Sequence, residues 1–327
     1  MKATSLKTAA VIAGTISLLA GNAMAQATTG VVGYETVDYV SGFNFVGARL
    51  HETPVASGTL ETASATEAID ADVDLAALLD GSTFILEIED AGGIIQEVTT
   101  SNGGTGLSAD LTGVTAPVSY TLRPAATLAS VFGETNSAGL TSTLSAGASD
   151  QVWLSDGAGG FTKYYYRGGG APQWRNATSN LAIDSTLVNI VYTDGIIISS
   201  QPAGGSFVVT GDLKAANTSV FLADGFNFLG SIYPVGATID STFGATNSAG
   251  LTSTLSAGAS DQIWVSDGAG GFSKYYYRGG GTPQWRNATS NLAIDATLVS
   301  IPSGYVILNT GGIQDAVTTP PTYYAGL

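Results

Sequence analysis

The sequence predicts a mainly β protein, built of tandem small antiparallel β-sandwich or β-roll units with few short helices. Three observations carry that expectation. Residues 132–190 and 243–301 align without a gap and differ at seven of 59 positions, so one unit of the chain is duplicated. Within each copy, short runs rich in Val, Ile, Trp and Tyr are separated by glycine-rich turns, the pattern of strands joined by tight connections. Glycine reaches 43 of 327 residues and charged residues fall to 11%, against ~25% charged in an ordinary soluble domain.

The elements follow in chain order. Lys2 and Lys7 precede an apolar run over residues 9–20, and Ala23-Met24-Ala25 supplies the small residues that a signal peptidase reads. Residues 1–25 are therefore expected to be an export signal cut before Gln26; the run falls short of the ~20 residues that span a bilayer. Residues 26–114 form an acidic β unit, with a hairpin over 83–99 and a short helix over 73–79 between Asp72 and Gly81. A second short helix is predicted over 124–132, with proline in its first turn. Residues 115–215 and 216–315 are the two repeat units. Each has a hairpin, 150–167 or 261–278, around the turn DGAGG, where glycine accepts the positive φ of a tight connection. Each also has a strand pair, 186–190 with 195–200 and 297–301 with 305–309. Residues 316–327, with Thr318-Thr319-Pro320-Pro321, read as an extended tail.

A shorter echo complicates this order. SGFNFVG at residues 41–47 returns as DGFNFLG at residues 224–230. It heads the first and third segments and is missing from the middle one, so the segments are not three simple copies.

Charge is uneven. The formal net charge is −15, or −17 once the two lysines of the export signal are removed. Residues 26–114 hold 14 acids against Arg49 alone. Such a balance argues against binding a nucleic acid backbone. The absence of cysteine excludes disulfides and thiolate chemistry. With enough length to bury sizeable cores, packing and hydrogen bonds must stabilise an exported chain.

Catalysis is poorly supported. His51 is the only imidazole, which leaves no serine triad to build around another base. Asp150, Asp156 and Asp184 recur as Asp261, Asp267 and Asp295, but turns and strand starts are ordinary places for aspartate. Asp70, Asp72 and Asp74 resemble the opening of a calcium loop; Leu75 then stands where that loop needs glycine and Gly81 where it needs a bidentate Glu. Calcium is the only cofactor left open. The best surface candidates are Trp153, Tyr165, Arg167, Trp174 and Arg175, with their copies Trp264, Tyr276, Arg278, Trp285 and Arg286. Three consecutive tyrosines on a strand cannot all face one side, and exposed aromatics beside arginine suit sugar rings or a partner protein. The same residues would equally serve as the core and cross-strand ladder of a small sheet.

From Thr121 to Gly133, through Thr135-Asn-Ser-Ala-Gly-Leu140, Asp150 to Trp153, Tyr164 to Tyr166 and Trp174-Arg175, the chain resembles an uncharacterised family of exported, repeat-containing proteins of Verrucomicrobia-type bacteria. The resemblance implies export and no particular activity. The expected function is a non-enzymatic structural or adhesive protein of the cell surface or extracellular matrix, self-assembling through exposed strand edges. The alternative is an array of carbohydrate-binding modules using the repeated Tyr/Trp/Arg clusters. An outer-membrane barrel is disfavoured, because its strands need ~9–11 residues.

Overall fold

The computed structural model describes residues 32–326 apart from 91, 158, 159, 202, 235 and 268–270. The expected export signal, residues 1–25, lies outside the described residues. Among the described residues the chain is mainly β, with small antiparallel sheets, two short α-helices and no closed barrel. No helix among the described residues is long and apolar enough to cross a membrane.

Each repeat centres on a five-stranded antiparallel sheet. In the first, the hairpin of Gln151–Ser155 and Phe161–Arg167 lies between Gln173–Asn176 on one side and Ile196–Ser200 then Gly42–Val46 on the other. The second repeat matches it with Gln262–Ser266, Phe272–Arg278, Gln284–Asn287, Gly304–Asn309 and Gly225–Gly230. The two-residue period of a strand sends alternate side chains to opposite faces. Val152, Leu154, Tyr166, Trp174, Ile196 and Ile198 thus share one core. A short helix, Leu128–Phe132 or Ile239–Phe243, closes each core. Its N-terminus is fixed by a capping box in which Thr127 or Thr238 exchanges hydrogen bonds with Ser130 or Ser241 at 2.8–3.1 Å. A two-stranded ribbon completes each unit, Val32–Tyr39 with Gly205–Asp212 and Thr218–Leu222 with Gln314–Thr318.

These pairings redraw the expected unit boundaries. Because Gly42–Val46 pairs with Ile196–Ser200 and Val32–Tyr39 with Gly205–Asp212, residues 32–50 belong to the first repeat rather than to the acidic unit. The acidic module instead covers about residues 54–124. It has a four-stranded sheet in the order Ala56–Leu60, Val118–Pro124, Phe84–Ile88, Ile94–Val98, and its own core around Leu60, Leu86, Tyr120 and Leu122. The expected cut at 114 falls before one of its strands. The module is an insertion in the first repeat, at the place where the second has only residues 231–238. That insertion separates the GFNF strand from the rest of its repeat, which explains the displaced echo.

Smaller expectations also change. Residues 186–190 and 195–200 do not pair with each other: Asn189–Ile190 pairs with Ala126–Thr127, and Ile196–Ser200 is drawn between two other strands, burying Ile196, Ile197 and Ile198. In the second repeat, likewise, Gly304–Asn309 pairs with Gly225–Gly230 and Gln262–Ser266, whereas residues 296–298 form a single 3-10 turn. The helix expected over 73–79 reduces to the 3-10 turn Ala76–Leu78. Ahead of it, the Asp70 carboxylate accepts from the Asp72 and Val73 N–H groups and holds a turn. The helix expected over 124–132 starts at Leu128, since Pro124 ends a strand. The tail is packed rather than extended, with Gln314–Thr318 in a ribbon and Tyr324 buried edge-on against Tyr233.

The GFNF strands are outermost in their sheets, and there the repeats meet. The Gly195 N–H donates to the Phe228 carbonyl and the Gly230 N–H to the Thr193 carbonyl, each at 2.9 Å. Gly47 and Gly230 pass so closely that a Cβ on Gly47 would lie 2.6 Å from the Gly230 Cα, so glycine is required there.

A buried ionic cluster joins the insertion to both repeats. Glu87 of the acidic sheet meets Arg123 at 3.0 Å, Lys214 at 2.9 Å and the Tyr192 hydroxyl at 2.7 Å. Burial opposes ionisation of Glu87, but the charges of Lys214 and Arg123 overcome it and hold the acid at about 2. His51 lies edge-on to Tyr192, 4.4 Å between ring centroids. Burial, then the charge of Arg123, push it down to about 3. The unfolded chain takes up this proton near its ordinary value of 6.5, while the folded chain refuses it, so His51 costs stability as pH falls through that window. Asp194 acts in the opposite sense. Burial, then Glu97, raise it to about 6, so acidification favours the folded state there. The two effects nearly offset, and His51→Phe should expose them. Relative to the parent, the variant should gain about 3 kcal/mol between about pH 6.5 and pH 4, read from denaturant unfolding at each pH. An equal pH response of both proteins would refute the assignment.

Candidate functional site

The face of each five-stranded sheet turned away from its core carries an aromatic row. In the first repeat, Trp153 packs edge-on against Phe43 at 5.2 Å and tilted against Phe161 at 6.3 Å. In the second, Trp264 meets Phe226 at 5.1 Å and Phe272 at 5.9 Å. The rows join at the GFNF crossing. Phe45 stacks on Phe228 at 5.7 Å with an interplanar angle of 13° and touches Phe272 at 5.5 Å, while Phe228 touches Phe161 at 5.3 Å. Eight rings thereby form one unbroken strip across both sheets, related half to half by a pseudo-two-fold between Phe45 and Phe228. Its ends are open: Phe43 is 61% exposed and Phe226 55%.

Cations flank the strip. Lys163 stands opposite Trp153 in the hairpin register and holds its ammonium 3.8 Å from the ring centroid; Lys274 does the same over Trp264 at 3.7 Å. Each such contact contributes about 0.5–1 kcal/mol at a half-exposed site. Arg167 and Arg175 continue the same face by strand alternation, Arg175 directly across from Tyr165.

The structure divides the residues singled out by sequence. Trp153, Arg167, Arg175 and their copies Trp264, Arg278 and Arg286 lie half-exposed on this face. Trp174 and Trp285 lie in the cores, where their indole N–H groups donate to the Gly133 and Gly244 carbonyls at 2.8 and 2.9 Å. They are packing residues, not contacts for a ligand. Tyr165 and Tyr276 point to the outer face yet are only 1% exposed, because Asn180 and Asn291 close over their hydroxyls at 2.5 and 2.6 Å. They support the face without presenting a ring. Phe43, Phe45, Phe161, Lys163 and their copies complete the strip and were not singled out by the sequence.

The other candidates serve the fold. Asp150 and Asp261 are buried and fasten loops; Asp150 accepts from the Thr141 and Gln201 N–H groups at 2.8 and 2.6 Å. Asp184 and Asp295 bond the threonines two residues on. Asp70 turns inward to the Tyr120 hydroxyl at 2.8 Å, and Asp74 accepts from the Ala77 N–H. The calcium candidates Asp70, Asp72 and Asp74 therefore do not converge, and no group of three acidic or histidine side chains among the described residues could hold a metal ion. A cleft of about 620 Å³ between the acidic module and the repeats is lined by Glu97, Asp110, Asp194 and Asp315. The raised pKa of Asp194 beside Glu97 is the feature of this cleft that suits proton transfer; among the described residues its lining includes no histidine, lysine or arginine.

No family model, no curated protein and no solved structure matches the chain.

Proposed function

We propose that this chain is an exported, non-enzymatic adhesive protein of the cell surface or extracellular matrix that holds a glycan along its aromatic strip. The carrying observation is the strip itself: eight rings in continuous contact on the outer faces of both repeats, with half-exposed indoles and open ends. Sugar rings present C–H faces that pack on aromatic side chains, and large rigid rings bind with little loss of side-chain entropy. Because the halves are joined, the strip suits one extended chain rather than two separate small ligands.

At the two five-stranded sheets, the edges favour this reading over assembly through exposed strands. Each outer strand of a repeat is bridged by its own chain, Arg175 with Ala182 and Arg286 with Ala293, and the inner edges cross each other. An edge already occupied is a poor template for another molecule.

A polysaccharide array probed with the full chain tests the reading. Binding to at least one polysaccharide is expected, and Phe43→Ser with Phe226→Ser should weaken it by about tenfold or more. Stability should fall by less than about 1 kcal/mol, as for surface substitutions. Asp194→Asn should leave binding unchanged. Loss of binding in Asp194→Asn alone would move the site to the cleft, and an array with no hit would refute the proposal.

A further inference from the structure

Resting on that reading, we infer that the glycan is anionic, a polysaccharide bearing carboxylates or sulfates, gripped by the cations that border the strip. The chain has 11 basic residues, of which Lys2 and Lys7 fall in the expected export signal. Three of the other nine are committed to buried or half-buried ion pairs: Arg49 with Glu35, and Arg123 and Lys214 with Glu87. The remaining six are Lys163, Arg167, Arg175, Lys274, Arg278 and Arg286. All of them stand on the outer faces that carry the aromatic strip, and none is in an ion pair among the described residues.

The acids are distributed the opposite way. The sequence contains 26 carboxylates, yet not one of the ten strands of the two five-stranded sheets carries an aspartate or glutamate. A chain of net charge −15 has thus kept these strands free of its own sign and placed on them every described cation outside an ion pair. Arg167, Arg175 and Arg278 each bury an Nε–H with no acceptor among the described residues, and a planar guanidinium pairs well with carboxylate or sulfate oxygens. An anionic sugar polymer fits this face on both counts, offering ring faces to the aromatics and spaced charges to the cations. A nucleic acid strand fits less well, because its closely spaced phosphates would face the strongly negative remainder of the protein.

The test is binding of the full chain to alginate and polygalacturonate (carboxylates), carrageenan (sulfate), the neutral polymers dextran and xyloglucan, and single-stranded poly(dT). Wild-type protein should bind an anionic polysaccharide at about 50 mM salt and lose about tenfold or more at about 500 mM, because exposed charge contacts are screened. The carboxylate and sulfate arms then distinguish the two sources of charge. Lys163→Gln with Lys274→Gln should weaken binding by about tenfold while lowering the unfolding temperature by no more than about 5 °C, the share of the two lost ring contacts. Equal, salt-insensitive binding to neutral polymers would overturn the inference and leave the glycan reading standing. No binding to any polysaccharide would remove both. Binding to poly(dT) alone, or self-association abolished by the lysine variants, would reassign the face to another partner.

Discussion

Glu87→Gln is expected to destabilise the protein by about 3–5 kcal/mol, because it leaves Lys214 and Arg123 buried beside a neutral amide. Both cations are nearly inaccessible, at 3% and 5% exposure, so water cannot replace the lost carboxylate. Burial already lowers the pKa of Lys214, and Glu87 is what opposes that fall. The cluster also fixes geometry. Glu87 and Arg123 come from the inserted module, Tyr192 from the first repeat and Lys214 from the link to the second. Chemical denaturation is the measurement, and the triple change Glu87→Leu, Arg123→Met and Lys214→Met is the control. Replacing a whole buried ionic cluster by apolar groups of similar size is often neutral, so the triple variant should recover much of the loss. A Glu87→Gln penalty below about 1 kcal/mol would show that the cluster is hydrated and contributes little.

Trp285→Ala, and equally Trp174→Ala, should cost about 3–5 kcal/mol, the range for removing a large aromatic from a packed core. Trp285 packs edge-on against Tyr277 at 5.4 Å and lies 6.4 Å from Phe243; Trp174 repeats this with Tyr166 and Phe132 at 5.6 and 6.3 Å. Truncation opens a cavity between the short helix and the sheet and removes the indole bond that holds Gly244 or Gly133. The unfolding temperature should drop on the order of 10 °C, with glycan binding of the folded protein preserved. A variant that lost binding at an unchanged unfolding temperature would place these indoles on the recognition surface instead.

The duplicated hairpins were legible because their signals are local. Alternating residues on both sides of DGAGG fix the strands, and the residues between them fix the turn. The insertion was not legible, because what assigns Gly42–Val46 to the first repeat is its pairing with Ile196–Ser200, some 150 residues away. No local rule distinguishes that partner from a nearer strand. The aromatic strip was half legible. Trp153, Arg167 and Arg175 stood out through their company, whereas Phe43 and Phe45 are separated from Trp153 by the whole insertion. Their two-residue spacing did put them on one side of a strand, and Lys163 could have been set opposite Trp153 by counting back from the turn. Tyr165 and Trp174 misled for a different reason. Composition shows that a ring is present, but not whether Asn180 covers it or a helix packs over it.

Tryptophan emission offers the most direct test of recognition along the strip. Two of the four indoles, Trp153 and Trp264, are half-exposed there, and the other two, Trp174 and Trp285, are sealed in the cores. The full chain would be titrated with alginate, carrageenan and xyloglucan in parallel with the Trp153→Phe, Trp264→Phe variant. Emission of the parent should shift and saturate with at least one polymer, while the variant, reporting only from its cores, stays constant. An unchanged parent with all three polymers, or an identical shift in the variant, would contradict recognition along the strip.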